Sequence, residues 1–235
     1  MVKTSSKRNT IILAVLIILL LGIGTFLYIT RPLEAPSIDF TKTPVTSSGS
    51  TTESGSTITY SIDATRSKAS FSIFEVLRGN DFTVVGTTNQ IAGTVTLDMS
   101  DPSQSKAGEF KVNARTLKTD SPQRDGAINR MILKSETPGN EFIIFTPTSV
   151  TGLPTNGEVG KDYMISITGN LMIAGAVKPT TFTAQVAYLQ NGEIQGIATT
   201  SVRRADFNLN IPNLPFIANV GETVSINVEF VAVRS

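Results

Sequence analysis

From residue 58 onward, apolar side chains recur at every second position in one segment after another. Ala69-Phe71-Ile73, Ile91-Gly93-Val95-Leu97, Phe110-Val112-Ala114, Tyr163-Ile165-Ile167, Phe182-Ala184-Val186-Tyr188 and Val224-Ile226-Val228-Phe230-Ala232 each set an apolar row against a row rich in Ser, Thr, Asn and Lys. A period of two belongs to strands, and the polar second face marks antiparallel strands wetted on one side. Asn191-Gly192, between two such rows, signals a hairpin with a type I′ turn, and Asn156-Gly157 marks a turn in a longer loop with Pro154. Only one segment has helical spacing: Ser121 as cap and Pro122 as first residue, followed by Ala127, Ile128, Met131 and Ile132. The pattern predicts an all-β barrel or sandwich with one or two short helices, and no repeat of 20 to 50 residues suggests a propeller or solenoid.

The N-terminal part follows different rules. Residues 1–10 carry Lys3, Lys7 and Arg8 without an acid, and the nineteen residues 11–29 hold no charge. As a helix that run is about 28 Å long, close to the hydrocarbon thickness of a bilayer. The reading is a cytoplasmic stub (1–10) and a single-pass anchor (11–30), with Arg31-Pro32 ending the helix and the remainder outside the cytoplasmic membrane, periplasmic or on the cell surface. A cleaved signal peptide is the competing reading, although no small-x-small cleavage site is present. Residues 31–57, rich in Ser, Thr, Gly and Pro, read as a flexible linker with a reach of about 30 Å, the alternative being an ordered strand near Ile38 and Phe40. The folded domain is then 58–235.

Composition removes most enzyme chemistry. There is no His, Cys or Trp, hence no disulfide, thiol nucleophile, imidazole base or Cys/His metal site. Ser103-Gln104-Ser105-Lys106 matches Ser-x-x-Lys but lacks the companion motifs of an acyltransferase, and Asp98 with Asp101 reads more simply as turn chemistry than as a carboxylate pair. The domain has 15 basic and 16 acidic residues and no basic stripe, so nucleic acid is not an expected partner. The apolar faces either fill a solid core or line a cavity. Phe supplies 12 aromatic residues and Tyr only four, a dry lining suited to an acyl or isoprenoid chain, or to an ordinary core.

The ordered set Tyr60-x-Ile62-Asp63, Ser67-x-Ala69-x-Phe71-x-Ile73, Val85-Gly86, Gly93-x-Val95-x-Leu97-Asp98, Leu117-x-Thr119, Arg124-Asp125, Gly169-Asn170-Leu171-x-Ile173-x-Gly175, Lys178-Pro179, Arg204-x-Asp206-Phe207 and Val220-Gly221-Glu222-x-Val224 resembles the YceI-like family across 58–235. The resemblance implies an antiparallel lipocalin-like β-barrel of about eight strands that encloses a long isoprenoid-type lipid outside the cytoplasm. Family members are regarded as binders or carriers. Arg66, Ala127 and Ala174 stand where the family often carries His, Asn208 where Gly commonly follows Arg-x-Asp-Phe, and an aromatic is missing near Thr88.

On this reading the channel candidates are Phe71, Ile73, Val95, Phe110, Val112, Ile143, Phe145, Ile165, Ile167, Ile173, Phe182 and Val186. Arg124, Asp125, Arg204 and Asp206 are polar mouth candidates; each Arg either binds a polar head or pairs with a nearby Asp to pin a loop. Lys178 before Pro179 reads as turn chemistry, since Pro cannot join a central ladder. The expected function is a membrane-anchored binding protein that holds a polyisoprenoid or other long-chain lipid for transport, storage or sequestration, with no catalysis, cofactor or metal. The alternative is a surface interaction module with a solid barrel. Homodimerisation is left open.

Overall fold

The computed structural model describes residues 38–41, 57–211 and 217–235. The stub and anchor read at 1–30, and most of the linker, lie outside the described residues. Among the described residues no helix is long and apolar enough to cross a membrane.

Among the described residues eleven strands run antiparallel: β1 (Thr57–Ile62), β2 (Lys68–Leu77), β3 (Asn80–Thr88), β4 (Ile91–Asp98), β5 (Lys106–Asn113), β6 (Phe142–Thr151), β7 (Asp162–Ile173), β8 (Ala176–Tyr188), β9 (Ile194–Arg203), β10 (Ile217–Ala218) and β11 (Thr223–Arg234). Eight of them, in the order β1-β4-β5-β6-β7-β8-β9-β11, close into a barrel because β11 pairs back onto β1. The closing edge of β11 is shared: Ala232–Arg234 pair with β1 and Ser225–Glu229 with β2, whose own partner is β3. Closure leaves the barrel wall without an open edge at β1, the usual route to aggregation of a long sheet. The alternating rows turn their apolar members inward, so the core and the barrel interior coincide.

The helical segment predicted from the sequence closes one end. Ser121 caps α1 (Pro122–Ala127) by accepting from the Arg124 N–H, with Pro122 as first residue. Its continuation, Ile128–Ile132, winds more loosely, and the Leu133 N–H reaches back to the Ile128 carbonyl at 2.8 Å. Ala127, Ile128 and Ile132 face the barrel interior, whereas Met131 is exposed.

Two local readings are corrected. The β8–β9 hairpin exists, but Asn191-Gly192 is not a type I′ pair. Only Gly192 has positive φ (+79°), and its N–H bonds to Leu189 O at 2.9 Å, so Gln190 and Asn191 form the turn and Gly192 is the left-handed residue that follows. The two-residue turns with both φ positive are Arg78-Gly79 and Ala174-Gly175, joining Leu77 to Asn80 and Ile173 to Ala176. Lys178-Pro179 is not a turn either: both lie inside β8, Pro179 opposite Asn170. Proline is accommodated there because β9 pairs only with Thr183–Tyr188, so no partner on that side needs its missing N–H.

Candidate functional site

The inward rows enclose a cavity of about 440 Å³ that runs from the α1 end to the loops 99–105 and 152–161 at the other. All twelve apolar channel candidates line it, contributed by β2, β4, β5, β6, β7 and β8. β9 and β11 complete the wall with Ala198, Val202, Ile226 and Phe230. At the loop end the lining includes Met99 and Val159, whose exposures of 46% and 55% are high for apolar residues, beside the charged Asp98, Lys106 and Glu158. At the α1 end Leu117, Leu133 and Leu209 are buried.

The four polar candidates do not gather at one mouth. Arg124 and Arg204 border the cavity, but neither pairs with the Asp of its own motif. Asp125 is buried and accepts from the Thr119 N–H at 2.7 Å and the Thr119 hydroxyl at 2.8 Å, which fixes the loop entering α1. Asp206 lies exposed on the first turn of the Arg204–Phe207 helical segment, away from the channel. Arg204 donates from Nε to Gly221 O (2.7 Å), from Nη1 to Leu209 O (3.0 Å) and from Nη2 to Glu222 Oε1 (2.7 Å), tying that segment to the loop before β11. Asn208, which ends the segment, sits at φ +55°; this conformation explains why Gly is common there and why Asn serves.

One group escaped the sequence reading, and a second answers to its alternative of an ordered segment near Ile38 and Phe40, although no strand forms there. The first is Glu75, 5% exposed, whose carboxylate lines the cavity and accepts from Arg124 Nη2 at 3.2 Å. Arg124 also pairs with exposed Asp120, and its guanidinium lies 5.4 Å from the Phe82 ring centre. The signal was present: Ala69, Phe71, Ile73 and Glu75 share one strand face, so the last projects a carboxylate where the others project hydrocarbon. The second is a strap formed by residues 38–41. The Phe40 N–H donates to Gln90 Oε1 (2.6 Å), Gln90 Nε2 to Asp39 Oδ1 (2.7 Å) and Asn113 Nδ2 to Ile38 O (3.0 Å), while the Phe40 ring packs 5.9 Å from that of Phe142. Part of the segment read as linker is thus held against the barrel by buried Gln90 and Asn113.

Asp98 and Asp101 are turn formers: Asp98 Oδ1 accepts from Ser100 and the Asp101 N–H, and Asp101 Oδ1 accepts from Ser103. Ser103 lies in the short helical turn Pro102–Gln104.

Among solved structures, a polyisoprenoid-binding domain from Saccharophagus degradans implicated in plant cell wall breakdown superposes with a TM-score of 0.59 at 16% identity, covering 76% of this chain and 99% of its own. BcnA of Burkholderia cenocepacia gives a TM-score of 0.55 at 18% identity over 73% of this chain and 99% of its own. These identities establish a shared barrel fold. No curated protein matches the chain in sequence. The YceI-like domain family matches residues 60–232, nearly the whole of the barrel, and on that match the chain belongs to the YceI-like family.

Proposed function

We propose that the barrel holds a long apolar chain of isoprenoid type, and that residues 11–30 anchor it to the cytoplasmic membrane with the barrel outside. The observation that carries the proposal is the apolar cavity of about 440 Å³, a volume in the range of small-molecule sites and one that a solid interaction module would lack. Similarity to the polyisoprenoid-binding domain of S. degradans supports the ligand class. The action is passive binding, with no chemistry on the ligand. Each CH₂ transferred from water to the channel contributes about 0.8 kcal/mol, so a chain of many carbons needs no specific polar contact to be retained. The rim with exposed Met99 and Val159 supports an entry for the chain at that end of the channel. The uncharged run 11–29 and the basic residues before it support the anchor and its orientation.

The test is native mass spectrometry on the full-length chain extracted in mild detergent, followed by incubation with geranylgeraniol. A co-purifying isoprenoid, or one-to-one uptake of the added alcohol, is the expected result. A chain isolated empty that takes up no prenyl alcohol overturns the proposal.

A further inference from the structure

Three Phe rings in the channel wall lie over glycines of the neighbouring strand. Phe71 is paired with Gly86, Phe110 with Gly93 and Phe230 with Gly196. Each glycine occupies an inward position of its strand, where Val84, Ile91 and Ile194 on the same faces carry full side chains. A Cβ on Gly86 would stand 2.2 Å from Phe71 Cε1, and one on Gly93 2.3 Å from Phe110 Cδ1; for both, the three nearest atoms all belong to the ring. At Gly196 the ring of Phe230 comes to 2.6 Å, with the Gln185 carbonyl at 2.8 Å. The rings therefore occupy the space of the missing side chains.

We propose that Gly86, Gly93 and Gly196 set the bore of the channel, and that the width they leave admits a methyl-branched chain. The inference rests on the binding function proposed above and adds its selectivity. A methyl group at either Gly86 or Gly93 demands a ring displacement of about 1 Å or more to restore ordinary carbon contacts of about 3.5 Å. The wall behind is backbone, so the ring moves into the lumen. An unbranched chain tolerates a narrower bore than a prenyl chain, which carries a methyl group on every repeat. The recurrence of one arrangement on three strand pairs distinguishes it from a single packing accident.

The experiment compares full-length wild type with Gly86→Ala, Gly93→Ala and the double variant Phe71→Leu/Gly86→Ala. Each is titrated with geranylgeraniol and with a linear fatty alcohol of equal carbon count. Expected is a fall in the branched-to-linear affinity ratio of at least about tenfold in each glycine variant, the size of a one-methyl discrimination in an apolar pocket. The double variant, having no ring at that site to displace, regains the wild-type ratio. Folded glycine variants with an unchanged ratio overturn the proposal while leaving lipid binding intact, and a wild type that binds neither alcohol removes both. If Gly86→Ala unfolds, a folded double variant that takes up the branched alcohol supports ring displacement. A double variant that also unfolds overturns it, because the backbone and not the ring then requires the glycine.

Discussion

Tyr60 shows how one buried residue ties the barrel closure to pH. It is 1% exposed on β1, where it pairs with Arg234 of β11 and Val95 of β4, and its ring meets that of Tyr188 edge-on at 6.4 Å between centres. Burial, then the hydrogen bond with Tyr188, push its phenol up to about 12, against a smaller opposing effect of Arg234. A raised phenol keeps its proton in the folded chain over a range where the unfolded chain has lost it. The stabilisation is therefore complete below about pH 10 and disappears as the pH climbs toward 12, a loss of at most about 2 to 3 kcal/mol. Thermal melts between pH 8 and pH 11.5 check this: wild type should lose stability over that interval more steeply than Tyr60→Phe, and parallel curves would refute it.

At the level of elements, α1 is joined to β2 by a buried charge pair whose two ends are unequal. Glu75 is enclosed and its partner is Arg124, while Arg124 has a second carboxylate, Asp120, at the surface. Removing the cation leaves a buried carboxylate uncompensated; removing Glu75 leaves the cation an exposed partner. Arg124→Leu should accordingly cost about 3 kcal/mol and Glu75→Leu about 1 kcal/mol or less. Denaturant titration of both variants measures the difference, and equal losses would show that the pair contributes through its packing alone. The elements themselves were largely legible in the sequence, because a two-residue period and a capped helical period are local signals. All twelve channel candidates share one cavity for the same reason. What was not legible depended on partners distant in sequence. Pro179 is allowed in a strand because the pairing with β9 ends at Thr183, and Gln90 and Asn113 hold the strap through groups of Ile38, Asp39 and Phe40 that lie 50 or more residues away. Ala174 adopts φ +49° in a two-residue turn that its identity does not announce. Glu75 was legible from its place in the row Ala69-Phe71-Ile73-Glu75, a polar exception that alternation alone would flag.

For the molecule as a whole, the distribution of charge decides which end group a bound chain can carry. The barrel region from residue 58 has 15 basic and 16 acidic residues, so no long-range field draws an anion toward it. At the loop end exposed Lys106 shares the lining with Asp98 and Glu158, and the two arginines that border the channel are already engaged, Arg124 by Glu75 and Asp120, and Arg204 by two carbonyls and Glu222. A diphosphate placed against them would have to displace carboxylates and would meet the Glu75 charge, whereas a hydroxyl can donate to that carboxylate or remain in water. The channel should therefore bind geranylgeraniol at least about tenfold more tightly than geranylgeranyl diphosphate, a difference of about 1.4 kcal/mol. Binding of the alcohol should also be flat between 50 and 500 mM NaCl, since the transfer of hydrocarbon out of water, unlike an exposed ion contact, is not screened. Displacement titrations with both ligands across that salt range separate the cases. Tighter diphosphate binding that weakens with salt would mean that the arginines leave their carboxylates for the ligand, and that the pairs seen at the channel wall are a resting arrangement of a headgroup site. Equal, salt-independent binding of the two would place the end group outside the barrel altogether, with only the hydrocarbon chain inside.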